Sequence, residues 1–359
     1  MRTLWRTALD SVTPYEAGKP LDALAAELGI AELVRLSANE HPLGPSPRVI
    51  EAIRREAEHV HLYPDGGSTA VREALARQLH VSAAQIVVGN GADELITLVA
   101  LAAFDPGDEV VMPQPSFEPY ATGANIAGAR LVASPLAGYH TDLEDMRRRV
   151  TARTKAVFLC SPHNPAATII PKRALLGFLD ALGDDPPLIV LDEAYHDFVD
   201  DPEYPDGVAL LARYPRLLVL RTFSKIAGLA GLRVGYAIGA RDVIERLNRV
   251  RAPYNVNRLG QVAALAALGD PEHAVRTRQL VLEERRFLMA GLAARGFTCA
   301  PSQANFVLVR VGDSARVRDN LARGGILVRE GAAVGFPGHL RISLGTREVN
   351  ERVLKLLEE

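Results

Sequence analysis

Lysine is scarce in this chain: five lysines stand against thirty-six arginines in 359 residues. Cysteine is scarcer still, and the two present, Cys160 and Cys299, lie far apart without metal-ligand spacing. Their rarity excludes a disulfide framework or zinc ribbon, suggests two buried thiols and points to a reducing compartment. Excess charge is also missing. The formal net charge of −2 and the pI near 6.5 give no bulk attraction to nucleic acid or anionic lipid, so a small molecule is the expected partner. No run of about twenty apolar residues is free of charge or proline, and Met1-Arg-Thr-Leu-Trp-Arg6 lacks the apolar core and cleavage site of a leader. These absences predict a soluble, cytoplasmic protein without membrane attachment, and no metal site is expected.

The residues present read as an α/β protein. From about residue 70, helical stretches alternate with short apolar runs rich in β-branched residues, the pattern of parallel βαβ units. The expected strands are 85–88, 109–112, 130–133, 155–160, 187–191, 217–220 and 234–238, with helices at 92–103, 171–182 and 241–250. Apolarity is nearly continuous along these strands, so helices should cover both faces of a wide, mostly parallel seven-stranded sheet. After Pro253 the pattern changes to helices at 260–268 and 271–295, then to a compact α+β stretch. The expected organisation is an arm with part of the small domain (1–45), a large domain (46–255) and a small C-terminal domain (256–359).

In an open parallel sheet, ligands bind beyond the carboxyl ends of the strands, so polar residues that directly follow apolar runs are the candidates. Four exits qualify. Gly89-Asn-Gly-Ala-Asp-Glu94 is a glycine turn opening a helix whose free N–H groups suit a phosphate, although it lacks the third glycine of a dinucleotide fingerprint. Ser161-Pro-His-Asn-Pro165 sets Asn164 between prolines; His163 is expected to be exposed. Leu188-Ile-Val-Leu-Asp192 runs straight into a carboxylate, which needs a cation or several hydrogen bonds if buried. The fourth exit carries Thr222, Ser224 and Lys225, with Arg233 eight residues on.

An amine can lose its proton in a desolvated site and condense with a carbonyl, which a guanidinium cannot. Hydroxyls, Arg233 and the 89–91 turn make a cradle for one phosphate. A ligand with a phosphate, an aldehyde for Lys225 and a basic ring nitrogen for Asp192 would satisfy all of these groups, and pyridoxal 5′-phosphate has all three. Asn164 and Tyr195 are candidates to hydrogen-bond the ring oxygen, and Phe117 offers a face for stacking, although ordinary core packing is the usual fate of a phenylalanine.

These residues, in this order, resemble the fold-type I aminotransferases over nearly the whole chain. Within that group the chain most resembles the histidinol-phosphate aminotransferases. The matching segments are Thr13-Pro-Tyr15, the Asn39-Glu40 loop ending Pro-Leu-Gly-Pro-Ser-Pro47, Tyr63-Pro64, Gly91-Ala-Asp-Glu94 and Leu340-Arg-Ile-Ser-Leu-Gly-Thr346. The resemblance implies that Lys225 is the lysine that bonds the cofactor aldehyde and that the amides of Ala92 and Asp93 cap its phosphate. It implies further that Tyr63 reaches the cofactor of a neighbouring subunit in a homodimer. Arg341 would bind the substrate's anionic end, with Arg329 and Tyr15 contacting the substrate phosphate; for either arginine alone, a surface salt bridge is the default. One segment departs from the family pattern, with His163-Asn-Pro-Ala-Ala167 where Asn-Asn-Pro-Thr-Gly is usual. The implied reaction takes L-histidinol phosphate and 2-oxoglutarate to imidazole-acetol phosphate and L-glutamate, a step of histidine biosynthesis. An aromatic amino acid transaminase and a phosphothreonine decarboxylase are the rivals on the same scaffold. A nicotinamide dehydrogenase would leave Lys225 unexplained, and a regulator that only binds the cofactor would not need it.

Overall fold

A computed structural model of the chain describes residues 4–12, 14, 20–30 and 32–358. Strands numbered in chain order form two sheets among these residues. The larger contains β2 (Ile86–Gly89), β3 (Glu109–Gln114), β4 (Arg130–Pro135), β5 (Thr154–Cys160), β6 (Leu188–Asp192), β7 (Leu217–Thr222) and β8 (Gly235–Gly239), in the order β2-β8-β7-β6-β5-β3-β4. The smaller contains β1 (Val34–Leu36), β9 (Thr298–Cys299), β10 (Phe306–Arg310), β11 (Ile326–Glu330) and β12 (His339–Ser343), in the order β1-β11-β12-β10-β9.

Continuous apolarity in the large sheet has the expected cause. Ile86 and Val88 of β2 join one buried cluster and Val87 the other; Leu217 and Val219 of β7 face opposite to Leu218 and Leu220. Helices Gly91–Ala103, Glu118–Ala127 and Arg241–Val250 cover one face. Pro47–Glu56, Thr69–Leu79, Lys172–Ala181 and Arg258–Leu268 cover the other. The last of these follows the change of pattern at Pro253, yet Ala263 and Ala264 lie in the large sheet's core. On the small sheet, Val281, Leu288 and Leu292 of the Pro271–Ala294 helix pack with Val353 and Leu354 near the C-terminus.

One strand runs against the rest. β8 is antiparallel to both β2 and β7, which pairs Gly235 with Gly89 on one side and with Thr222 on the other. The start of β8 therefore meets the carboxyl ends of its neighbours, at the edge where the candidate residues collect. Parallel pairing of β1 with β11 also ties the segment before the Asn39 loop into the small sheet.

Beneath that edge lies a buried ion pair. Glu193, fully enclosed, receives Nε and Nη2 of the buried Arg221 at 2.9 and 2.8 Å, and its other oxygen accepts the Gly207 amide at 3.2 Å. Asp206 stands 3.5 Å from the same guanidinium but is mostly exposed and shares the charge weakly. Glu193→Gln should leave Arg221 buried without full compensation and lower unfolding stability by about 3 kcal/mol, measurable in urea.

Candidate active site

Asp192 ends β6, with Cys160 of β5 and Leu220 of β7 in register beside it. Its carboxylate is 3% exposed and is held by two donors: the Tyr120 hydroxyl to Oδ2 at 2.6 Å and the Ala194 amide to Oδ1 at 2.9 Å. Burial pushes its pKa up to about 6, against these two hydrogen bonds. No ion pair among the described residues involves it. Sequence reasoning missed Tyr120, which lies on the buried side of the Glu118–Ala127 helix, stacks on Phe158 and touches Phe117 edge-on. Spacing offered one hint, since Phe117 and Tyr120 are three residues apart and so neighbours on a helical turn.

The second cluster forms where β2, β8 and β7 meet. A Cβ on Gly235 would lie 2.6 Å from the amide nitrogen of Ala92, so only glycine lets the start of β8 pass this close to the helix that begins at Gly91. Gly91 itself has φ +81°, and a Cβ there would lie 2.5 Å from Nη2 of Arg233. Arg233 thus lies over the first turn of the helix, donating to Asp93 at 2.9 Å and to the Ala230 carbonyl at 3.2 Å. Thr222 and Ser224 are buried at the neighbouring exit, where the Ser224 amide donates to Thr222 Oγ1 at 3.0 Å. Free helix N–H groups, hydroxyls and a guanidinium converge as a phosphate site requires.

Lys225 follows at once. Its Nζ donates to the carbonyls of Asn39 and Ala38 at 3.0 and 3.3 Å and lies 5.6 Å from the centre of the Tyr195 ring. Burial, then the positive charge of Arg341, pushes its pKa down to about 8, with Glu40 opposing. Near neutral pH a usable fraction of this amine is therefore unprotonated.

The third group joins the two sheets. Arg341 of β12 is buried and donates through Nη1 to Asn164 Oδ1 at 2.6 Å and through Nη2 to the Ser37 carbonyl at 2.7 Å; its Nε is enclosed and unpartnered. Asn164 Nδ2 and Asn39 Nδ2 both donate to the Tyr195 hydroxyl, at 3.4 and 3.0 Å. A surface salt bridge, the default for Arg341, is thereby ruled out. Arg329 of β11 is exposed and is the register partner of Arg341 across the strands. Like charges placed directly opposite repel, and an anion between them would offset the cost.

Several other expectations can now be placed. Phe117 is half-buried at the start of its helix, beside the Asp192 cluster. Tyr63 is 79% exposed and stacked on Tyr254. Tyr15 lies outside the described residues. His163 corrects the sequence reading: it is buried, not exposed, because the 161–168 segment folds under the small sheet, where Ala166 packs with Ala300 and Leu308. Cys160 is buried as expected, but Cys299, on the edge strand β9, is only partly covered. Among the described residues no helix is long and apolar enough to cross a membrane.

The chain is similar to known proteins over nearly its whole length. The family model for aminotransferase class I and II matches residues 31–357. A histidinol-phosphate aminotransferase of Anaeromyxobacter sp. (strain Fw109-5) is 45% identical over 352 residues, covering 97% of this chain and 96% of the relative. One from Moorella thermoacetica is 41% identical over 358 residues, covering 99% and 92%. Among solved structures, histidinol-phosphate aminotransferase from Sinorhizobium meliloti in complex with pyridoxal-5′-phosphate superposes with a TM-score of 0.90 at 28% identity, covering 100% of this chain and 98% of that one.

Proposed function

We propose that this chain, which belongs to the class I and II aminotransferase family, transfers the amino group of L-histidinol phosphate to 2-oxoglutarate, forming imidazole-acetol phosphate and L-glutamate. The enzyme is an aminotransferase, and its cofactor is pyridoxal 5′-phosphate. Three observations support the fit of that group. Asp192 is a buried carboxylate that no cation among the described residues pairs, and a protonated ring nitrogen would supply one. The first turn of the Gly91–Ala103 helix, Arg233, Thr222 and Ser224 provide donors for a phosphate, and Cβ atoms on Gly91 and Gly235 would collide with Arg233 and the Ala92 amide that form part of that set. Lys225, directly after Ser224, is an amine whose pKa burial lowers to about 8.

When bound, pyridoxal phosphate supplies an aldehyde carbon for an amino group and a cationic ring that draws electrons from the adjoining carbon. The protein's residues do the rest. Lys225 would supply the nucleophilic amine and a group able to carry a proton. Asp192, its plane fixed by Tyr120 and the Ala194 amide, would supply the negative charge for the ring nitrogen. Asn164 and Tyr195 would hold the ring oxygen, Phe117 would offer a face to the ring, and the amides of Ala92 and Asp93 would cap the phosphate.

Arg341 is the observation that carries the substrate assignment: enclosed, without a carboxylate partner among the described residues, and paired across the strands with Arg329. Two permanent charges at that spacing suit a dianionic phosphate or the distal carboxylate of glutamate. Tyr15 would add a contact to the same phosphate. Purified enzyme should show a kcat/KM for histidinol phosphate at least about 100-fold above that for phenylalanine, which leaves Arg329 unpaired. A preference for phenylalanine would replace this substrate with an aromatic amino acid, and release of carbon dioxide from phosphothreonine would replace the reaction.

The working unit we propose is a cytoplasmic homodimer. Tyr63 is exposed together with Val60, Leu62 and Tyr254, and would reach the cofactor phosphate of a second copy. The division into an arm (1–45), a large domain (46–255) and a small domain (256–359) is likewise our proposal, with the Arg258–Leu268 helix packed onto the large one.

A further inference from the structure

His163 has no part in the chemistry above, yet it is enclosed to 1% exposure directly before Asn164. It makes three hydrogen bonds to the residues that follow. Its backbone N–H donates to the Thr168 carbonyl at 2.7 Å, its carbonyl accepts the Ala167 amide at 2.6 Å, and its Nδ1 accepts the Ala166 amide at 3.3 Å. Together these close a turn in which Ala167 is held at φ +64°, a left-handed conformation that alanine resists and glycine adopts freely. The turn displays Asn164, whose Oδ1 receives Arg341 and whose Nδ2 reaches Tyr195. The Ala167 carbonyl in turn accepts the amide of Gln303, just before β10.

Because Nδ1 is an acceptor, the ring proton sits on Nε2, which is enclosed without a hydrogen-bond partner among the described residues. Burial pushes the imidazole pKa down to about 4, with nearby His140 acting in the same direction. The ring is therefore a neutral acceptor throughout the neutral range. A buried donor left without a good partner is costly, and the bond that Nδ1 accepts from the Ala166 amide is what the ring provides in return.

We infer that His163 is a positioning residue: by accepting the Ala166 amide it locks the 163–168 turn, fixes the Asn164 amide, and so orients Arg341 for the substrate's anionic end. The inference rests on the proposed role of Arg341. His163→Leu fills the same space but accepts no hydrogen bond; His163→Asn keeps an oxygen that can take the Ala166 amide.

In the holoenzyme, His163→Leu should weaken inorganic phosphate binding, measured calorimetrically, by about tenfold and raise KM for the amine similarly, while kcat falls less than about threefold. His163→Asn should stay within about twofold of wild type in both, and the Ala166 amide should keep its hydrogen-exchange protection. A purely space-filling histidine would give the opposite pattern, with leucine tolerated. Equal phosphate affinity in wild type and His163→Leu, or His163→Asn as impaired as leucine, overturns the inference. Should His163→Leu not fold, loss of Ala166 protection in His163→Asn overturns it and retained protection supports it. Phosphate binding by wild type checks the role of Arg341 itself, and a wrong amine shows as a failed preference in wild type, apart from the comparison between wild type and His163→Leu.

Discussion

Lys225→Ala is expected to lower kcat by at least about 10⁴-fold, because one amine does two jobs, nucleophile and proton carrier, and both end together. Lys225→Arg should be equally inactive, since a guanidinium remains protonated at any working pH and can do neither. Cofactor binding should survive in both variants. The phosphate cradle of Ala92, Asp93, Thr222, Ser224 and Arg233 is built from other residues and does not depend on the lysine. Single-turnover mixing with L-glutamate gives the readout, and a rate within tenfold of wild type would exclude Lys225 from the chemistry.

Asp192→Asn should divide activity from stability. Asparagine preserves the shape but cannot carry the negative charge that keeps a ring nitrogen protonated, so kcat should fall by about 10²–10³-fold and cofactor affinity should weaken. In the cofactor-free protein the sign reverses. The folded-state pKa of Asp192 is raised to about 6, above its unfolded value near 4, so folding favours the protonated carboxyl. Its contribution to stability is complete below about pH 4 and is lost as pH rises through 6. The cofactor-free Asp192→Asn protein should therefore be more stable than wild type at pH 7, by about 2 kcal/mol, with the gap closing toward pH 4. Chemical denaturation across that range measures it; a variant less stable than wild type at pH 7 would mean that Asp192 is not strained in the empty site.

Much of this site was readable because a parallel strand delivers the next residue to one edge of the sheet. Asp192, Thr222, Ser224, Lys225 and Asn164 each follow an apolar run, and the fold gathers them where the strands end. What sequence did not disclose depends on side-chain direction or on packing between distant segments. Tyr120 turns inward from a helix, and only its spacing from Phe117 distinguishes it locally from an ordinary core tyrosine. His163 looks like a surface residue until the small sheet covers the 161–168 turn. β8 reads like its neighbours, because burial on both faces makes parallel and antiparallel strands equally apolar. β1 is three residues long with an arginine at its centre, too short for alternation to show.

Everything assigned here depends on a covalent bond between the ε-nitrogen of Lys225 and the cofactor aldehyde. Borohydride reduction of the loaded enzyme, followed by proteolysis and mass spectrometry, reads that bond directly. The cofactor mass should appear on the peptide containing Lys225 and on no other lysine; its appearance elsewhere, or on no peptide, would contradict the account.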